Sequence, residues 1–305
     1  MTTLTIFAPA GVELRGPAVR LAAQRLKALG FAVTLDASLR ARHQRFAGDD
    51  DTRLATLHRV ADAAPSIAMP SRGGYGMTRL LDRIDWKRIA RSVAQGTRWV
   101  GYSDFTAFQM GLLAHIGGSS GVGAQTWLGP MAADDFGRSD EAGGPDEVTR
   151  DCFCEAMSGE LEAVGFRTEA GFDGLQARGL LWGGNLAMLQ SLLGTPHWPQ
   201  VKGGILVLED VNEHPYRIER TLLQLHQAGA LKAQKAVVLG AFSDWRKSPL
   251  DRGYTLKTAI NHVRSLCKTP ILTGLPFGHV PTKVSLPLGR RVQLVVQGRD
   301  ALIGW

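Results

Sequence analysis

The sequence predicts an α/β fold, with a parallel sheet in the first part of the chain and a mixed, strand-rich unit in the last part. Two observations carry this prediction. Short apolar runs alternate with stretches whose apolar residues recur at helical spacing, and glycine or proline stands between them. Strands separated by helices pair in parallel, because the chain must cross over from one strand to the next.

The first part of the chain alternates strand and helix patterns. Strands are expected at residues 4–8, 31–35, 66–69 and 99–102. Between the first two, Val19, Ala22, Leu26 and Leu29 recur at helical spacing, and Gly30 ends the helix. We therefore expect an N-terminal α/β domain over residues 1–132.

The composition changes after this domain. Acidic residues, glycines and a proline replace the apolar runs, which predicts a connecting segment over residues 133–170. Apolar runs resume in residues 171–305, and the patterns at 292–296 and 301–303 flank a Gly-Arg-Asp turn, as in a hairpin. The last part is therefore predicted to be a mixed, β-rich α/β domain. Enzymes with two domains commonly keep their site between them.

The composition is that of a globular protein that can bury a core. Of 305 residues, 44% are hydrophobic and 21% are charged. No apolar run approaches the roughly 18 residues that a membrane helix requires. The N-terminus lacks the cationic start and apolar stretch of a leader, and three cysteines do not suggest a disulfide framework. We expect a cytoplasmic protein with no membrane partner.

The net charge of +7 favours an acidic partner, either nucleic acid or a small molecule with several carboxylates. The basic residues are scattered, and their densest cluster, at residues 86–91, is typical of the solvated face of a helix. We therefore expect no nucleic-acid partner, and an acidic small substrate fits the charge. No His-Glu-x-x-His or Cys-x-x-Cys pattern occurs, so a metal enzyme is disfavoured.

Ser103 and Asp104 lie between a strand pattern at residues 99–102 and a helix pattern at residues 105–113. A serine at such a turn can present its hydroxyl above the edge of a sheet, while the following amides point at an oxyanion. The surrounding Gly-Tyr-Ser-Asp-Phe departs from the Gly-x-Ser-x-Gly pattern of esterases. Helix capping is the commoner role for a serine or aspartate here. The local sequence is compatible both with a serine nucleophile and with a helix cap.

A glycine-rich turn follows the third predicted strand. It reads Arg72-Gly-Gly-Tyr-Gly, and its three glycines permit positive φ angles and a close approach of backbone to a ligand. This suits either an oxyanion donor or a carboxylate-binding turn. An ordinary tight turn fits the local sequence equally well.

Glu209 follows a buried-strand pattern, and His279 follows another apolar run. A carboxylate at the carboxyl end of such a strand lies where α/β folds keep their sites. Asp210 and Glu213 compete with Glu209 for any role, and His214 is closer to it in sequence than His279. The chain order of serine, acid and histidine is compatible with a catalytic triad, but spacing alone does not bring the three together.

Several of these segments together resemble the LD-carboxypeptidase family, also called muramoyltetrapeptide carboxypeptidases. The matching tetrapeptides and their neighbours occur in the family order. They are residues 46–48, 72–76 with 79–81, 101–104, 183–186 with 193–196, 208–210 with 215–218, and 276–279.

The resemblance implies a catalytic triad with Ser103 as nucleophile, Glu209 as acid and His279 as base. It implies a Rossmann-like N-terminal domain, a C-terminal domain that carries the acid and the base, and a homodimer. The implied reaction is hydrolysis of the bond between an L-centre of a diamino acid and terminal D-alanine in a murein tetrapeptide, during cell-wall recycling. No metal or organic cofactor is expected.

Two further roles follow from that assignment. The amide of Asp104, with that of Gly73 or Gly74, is expected to hold the oxyanion. The terminal carboxylate of the substrate is expected to bind Arg72 or the backbone of its turn.

Two other functions remain open. One is a related peptidase that confers self-immunity to a peptide-nucleotide antibiotic, with the same triad and a pocket for adenylate. The other is a catalytically silent α/β protein that binds carbohydrate or peptide, in which Ser103 is only a helix cap. The intact set of triad candidates argues against the second.

Overall fold

The computed structural model describes all 305 residues and contains two sheets. The strands are β1 Thr3–Phe7, β2 Ala32–Leu35, β3 Ile67–Pro70, β4 Arg98–Gly101, β5 Thr126–Leu128, β6 Ala163–Arg167, β7 Gln176–Asn185, β8 Ile205–Val211, β9 Ala236–Ser243, β10 Ile271–Leu272, β11 Leu286–Leu288, β12 Arg291–Gln297 and β13 Asp300–Gly304. The α-helices are α1 Gly16–Ala28, α2 Asp50–Ala63, α3 Trp86–Ala94, α4 Thr106–Leu112, α5 Glu147–Ser158, α6 Leu186–Leu192, α7 Pro215–Gln227 and α8 Leu256–Leu266.

The first sheet has the strand order β11-β5-β4-β3-β1-β2. Strands β1 to β5 pair in parallel, and β11 pairs antiparallel with β5. Helix α1 buries Val19, Ala22, Ala23 and Leu26, and ends just before Gly30 adopts a positive φ. The predicted parallel N-terminal sheet and its first helix are therefore confirmed.

The second sheet has the strand order β10-β9-β8-β7-β12-β13-β6. Its first four strands pair in parallel, whereas β12, β13 and β6 join by antiparallel pairing. The hairpin expected near the end of the sequence is the β12–β13 pair. The predicted mixed C-terminal sheet, and with it the α/β fold class, is confirmed.

The strand order of the first sheet places a crevice at its carboxyl edge. Strand β1 lies between β2 and β3, so the connections on its two sides run in opposite directions. Ligands of open α/β sheets bind outside the carboxyl ends of the strands at such a point. The turn at residues 72–76 follows β3, and Ser103 follows β4, so both lie at this edge.

The two sheets meet through helix α4. The backbone N–H of Asn185, at the end of β7, donates to Thr106 Oγ1 at 3.0 Å. A side chain on Gly184 would come within 2.6 Å of the same oxygen, so only glycine permits this approach. One core cluster of 63 buried residues includes side chains from both sheets. The carboxyl ends of β4, β7 and β8 thus face one cleft.

Residues 133–170 contribute to both sheets' surroundings. They contain α5 and β6, and β6 forms an edge of the second sheet. In the opposite direction, β11 comes from the last part of the chain and completes the first sheet. The exact division into residues 1–132, 133–170 and 171–305 stays a prediction. None of the helices combines the length and apolar character that crossing a membrane would require.

Candidate active site

A cleft of about 890 Å³ lies between the two sheets. It contains Ser103 and His279, and the turn after β3 forms one wall. Charged side chains of both signs line the remainder: Arg45, Arg72, Arg138, Lys283, Asp134, Asp135 and Glu213. Such a lining suits a small substrate that carries both carboxylates and an amine.

Ser103 occupies a sharp turn between β4 and α4. Its φ of +60° is in the left-handed region, which non-glycine residues rarely adopt. Such a conformation costs on the order of 1–3 kcal/mol and recurs at active sites. The turn places Ser103 Oγ 3.0 Å from Nε2 of His279. The serine hydroxyl therefore faces the imidazole and is not a helix cap.

His279 is held by a buried carboxylate on its other side. Its Nδ1 lies 2.7 Å from Oε2 of Glu209, a residue with no solvent exposure. The other oxygen of Glu209, Oε1, accepts from Nδ2 of Asn185 at 3.1 Å. Ser103, His279 and Glu209 thus form one continuous line of hydrogen bonds, the arrangement that activates a serine nucleophile.

The glycines around Glu209 explain how a carboxylate fits there. The β8–β9 register shifts between Leu208 and Asp210, which places a bulge opposite Glu209. A side chain on Gly278 would come within 3.2 Å of Glu209 Cβ, and one on Gly240 would come within 2.4 Å of a backbone carbonyl. The bulge and these two glycines give the carboxylate and the histidine room to meet.

The environment of His279 favours the charged imidazole. Burial lowers the pKa of His279, but its hydrogen bond to Glu209 and the negative charges of Glu209, Asp210 and Asp134 outweigh that effect, so the pKa is raised. Glu209 therefore holds the ring through Nδ1 and stabilises its protonated form.

The competing acid, Asp210, has a different set of partners. Its Oδ1 accepts from Asn185 Nδ2 at 3.0 Å and from its neighbour Val211, and its Oδ2 accepts from the N–H of Ala187 at 2.9 Å. Burial raises the pKa of Asp210 to about 6, with a further contribution from the charge of Glu209. Asp210 thus anchors the start of α6.

The other two competitors also have partners of their own. Glu213 lies 3.6 Å from Arg217, and His214 Nε2 lies 3.1 Å from Asp251. Neither side chain contacts Glu209 through a hydrogen bond. The line of hydrogen bonds to Ser103 therefore runs through His279.

The glycine-rich turn lies against the serine. Neither the Gly73 N–H nor the Gly74 N–H donates a backbone hydrogen bond, while the Gly73 carbonyl accepts from Gly11 at 3.3 Å. Both glycines line the cleft with Arg72. Arg72 Nη1 donates to the Val12 carbonyl at 3.3 Å, and its buried Nε has no partner. The turn thus places N–H groups without backbone partners beside Ser103.

Asp104 ties this turn to the serine turn. Its Oδ2 accepts from the N–H of Met77 at 3.0 Å, so the carboxylate does not cap α4. Burial raises the pKa of Asp104 to about 6, although hydrogen bonds from the Met77 and Gly76 amides oppose the shift. The carboxylate of Asp104 thus links the two turns, and the role of its backbone N–H at an oxyanion stays a prediction.

The site contains side chains that sequence reasoning does not single out. Asn185 bridges Glu209 and Asp210, and the Tyr102 ring stands edge-on to His279 at 4.9 Å between centroids. Lys283 and Asp135 form a buried ion pair beside them. Asn185 and Tyr102 have a sequence signal, because each lies in one of the family-like tetrapeptides, whereas Lys283 and Asp135 have none.

Solved structures with the same fold include two kinds of protein. The muramoyltetrapeptide carboxypeptidase of Oxalobacter formigenes superposes with a TM-score of 0.87 at 39% identity, over 100% of this chain and 99% of that one. The microcin C7 self-immunity protein MccF, in complex with aspartyl sulfamoyl adenosine, gives a TM-score of 0.84 at 19% identity, over 100% and 96% of the two chains. The second likeness concerns the fold alone.

Sequence comparison gives the family. The LD-carboxypeptidase N-terminal domain matches residues 4–123, and the LD-carboxypeptidase C-terminal domain matches residues 178–294. A probable murein peptide carboxypeptidase of Bacillus subtilis is 30% identical over 91% of this chain and 84% of its own length. The resemblance seen in the sequence is confirmed, and the chain belongs to the LD-carboxypeptidase family of serine-type peptidases.

Proposed function

We propose that the protein hydrolyses the bond between the L-centre of a diamino acid and terminal D-alanine in murein tetrapeptides, in cell-wall recycling. The observation that carries the proposal is the hydrogen-bonded line from Ser103 through His279 to buried Glu209, which opens on a charged cleft. The O. formigenes and B. subtilis proteins, whose names refer to murein peptides, support this choice of substrate.

In the proposed mechanism, His279 Nε2 takes the hydroxyl proton as Ser103 Oγ attacks the scissile carbonyl carbon. Glu209 stabilises the imidazolium through Nδ1. The tetrahedral intermediate collapses when the imidazolium gives its proton to the amine of D-alanine, which leaves. Water then attacks the acyl-serine ester as His279 takes its proton, and the imidazolium returns that proton to Ser103 Oγ as the bond to the tripeptide carboxylate breaks.

The oxyanion and the substrate terminus are assigned to the walls of the cleft. The amides of Asp104 and of Gly73 or Gly74 would hold the oxyanion, because they lie beside Ser103. One such donor is typically worth about 3 kcal/mol in the barrier. Arg72, whose Nε has no partner, or the backbone of its turn would bind the terminal carboxylate.

The remaining expectations belong to the same proposal. The nucleophile would be carried by residues 1–132, the acid and base by residues 171–305, and residues 133–170 would connect them. The enzyme would act in the cytoplasm as a homodimer, without nucleic acid or a cofactor. Cell fractionation and light scattering of the purified protein test the location and the oligomeric state.

The experiment that tests the function compares three substrates with one enzyme. We expect release of D-alanine from an L,D-linked tetrapeptide, and at least about 10²-fold lower kcat/KM on the peptide that ends in L-alanine, because a fixed carboxylate site and a fixed oxyanion site accept one stereocentre. An aminoacyl-adenylate analogue is the third substrate. Faster cleavage of that analogue would favour the immunity-peptidase activity, and equal rates on the two diastereomers would contradict LD specificity.

A further inference from the structure

We propose that Lys283 is a positioning residue for His279, which it holds through the Val280 carbonyl and the ring of Tyr102, with Asp135 as its counter-ion. The inference rests on the proposed function, since it takes His279 as the catalytic base. It concerns a residue that the triad does not include and that touches no reacting atom.

The side chain of Lys283 is almost completely buried at the wall of the cleft. It is 2% exposed, and the side chain of Asp135 is 7% exposed. Lys283 Nζ donates to Asp135 Oδ1 and, at 2.7 Å, to the carbonyl of Val280. It also lies 5.1 Å from the centroid of the Tyr102 ring, within range of a cation–π contact. The second oxygen of Asp135 accepts from the N–H of Met131 at 2.7 Å.

The two uncharged partners of Lys283, the Val280 carbonyl and the Tyr102 ring, both lie next to His279. Val280 is the next residue in the chain, so a bond to its carbonyl fixes the backbone that follows the histidine. The carbonyl of His279 itself accepts from Ser243 Oγ at 3.1 Å. The Tyr102 ring stands edge-on to the imidazole, 4.9 Å between centroids at 63°. One buried ammonium thus holds the chain after the base and the ring beside it.

The rest of this loop has separate anchors. Thr149 Oγ1 donates to the Pro281 carbonyl at 2.9 Å, and Thr282 Oγ1 donates to Asp146 at 2.8 Å. Loss of the Lys283 contact therefore frees Val280 while the following residues stay attached. The expected effect is a local displacement of the imidazole, because the loop itself keeps its place.

The opposite charges of Lys283 and Asp135 allow both side chains to be buried beside His279. Burial raises the pKa of Asp135, which the ammonium of Lys283 opposes. An unpaired buried charge is strongly destabilising, whereas replacing both partners by neutral groups is often tolerated. The double replacement also leaves the net charge near His279 unchanged. The charges that act on the imidazole are those of Glu209, Asp210 and Asp134, whereas the Lys283–Asp135 pair lies beside Tyr102.

The test uses the charge-balanced variant Lys283→Met/Asp135→Asn, in which the asparagine can still accept from the Met131 amide. Thr282→Val is the matched control, since it removes the neighbouring loop anchor. Two properties are measured in each full-length protein: the pKa of His279 by NMR titration of its imidazole carbon, and kcat and KM on the tetrapeptide. His279→Gln identifies the resonance.

In the double variant we expect a lower pKa of His279, because the imidazole sits less well against Glu209. We also expect kcat to fall about 10- to 100-fold with KM changed less than about threefold, as for a small misplacement of a reacting group. Thr282→Val should match the wild type in both properties. Circular dichroism should show that both variants are folded.

Two results would overturn the inference. One is a folded double variant with wild-type kcat and an unchanged pKa of His279. The other is an equal change in Thr282→Val, which would assign the effect to the loop as a whole. The NMR measurement needs no substrate, so it decides the positioning role even if the wild type fails to cleave the tetrapeptide. That last result would contradict the proposed function alone.

Discussion

Gly73 lies directly against Ser103: a methyl group on its Cα would stand 2.8 Å from both Cβ and Oγ of that serine. Real side chains do not approach so closely, so this position has no room for a methyl group while the serine keeps its place. The φ of Gly73 is outside the positive region, and its backbone is therefore accessible to alanine. The residue's role is to leave space at the serine hydroxyl.

We therefore expect Gly73→Ala to lower kcat/KM by about 10²-fold or more while the protein stays folded, because Ser103 must shift by a few tenths of an ångström or more. Gly16→Ala is the control, since its added methyl would meet only Arg20 at 3.6 Å. Steady-state kinetics and circular dichroism of the two variants provide the measurement. Wild-type kinetics in Gly73→Ala would contradict the close contact between the turn and the serine.

Ser103→Ala is expected to reduce hydrolysis by about 10⁴-fold or more, since no other hydroxyl lies within reach of His279 Nε2. The thermal midpoint should change little, because the alanine removes one oxygen from a site that opens on the cleft. A variant that keeps more than a few per cent of wild-type activity would exclude Ser103 as nucleophile.

Glu209→Gln is expected to cost at least about 10³-fold in kcat, whereas Asp210→Asn should act mainly on stability. Only Glu209 bonds to Nδ1 of His279, and Asp210 instead anchors the start of α6. Kinetics and urea unfolding of both variants separate the two effects. Greater loss of kcat in Asp210→Asn than in Glu209→Gln would reverse the assignment.

The acid limb of the pH profile should lie above the ordinary pKa of histidine, 6.5. The pKa of His279 is raised, and the imidazole must be neutral to accept the serine proton, so kcat/KM is lost as pH falls through that raised value. Glu209→Gln removes the charge that raises the pKa, and its residual activity should have an acid limb at lower pH. If the acid limb of Glu209→Gln stays at the pH of the wild type, the limb reports the titration of a group other than His279.

Asp104→Asn should remove a pH dependence of stability. The pKa of Asp104 is raised from 3.8 to about 6, so the folded state holds its proton more tightly than the unfolded state. The bound proton stabilises the folded state fully at pH values below the pKa that Asp104 has in the unfolded state. This stabilisation, about 3 kcal/mol in all, is lost as the pH rises through the pKa of Asp104 in the folded state. Urea unfolding of both proteins from pH 3 to pH 8 covers the range between the two pKa values and gives the difference. Any loss of stability caused by the asparagine amide itself does not depend on pH. A difference in the free energy of unfolding that stays constant with pH would therefore contradict this prediction.

The sequence predicts the parts of the site that depend on local pattern. Ser103 stands at a change from strand to helix period, and Glu209 ends an apolar run, so their places at the carboxyl edge follow from periodicity. Their meeting with His279 does not, because 176 residues separate His279 from Ser103. Only the resemblance to the family predicts that the three residues form one triad.

Asp135 and Lys283 show what a single sequence leaves out. Asp135 lies among acidic residues and glycines, a composition that predicts a solvated connection. The structure buries it against a lysine 148 residues away. A buried pair of opposite charges leaves no periodic pattern in the sequence, and each partner alone is of a residue type that is usually exposed. Only the tertiary structure shows that these two residues are paired.

The pairing of β11 with β5 affects how the chain is made. Leu286 lies opposite Leu128, so the outer strand of the first sheet is synthesised 158 residues after the strand that it covers. At a ribosomal rate of about 5–20 residues per second, β5 waits on the order of 10 seconds or more as an open edge. Unprotected edges recruit strands from other chains. A nascent chain of this enzyme therefore passes through a period in which a chaperone is of most use to it, and truncation before residue 286 would make that exposure permanent.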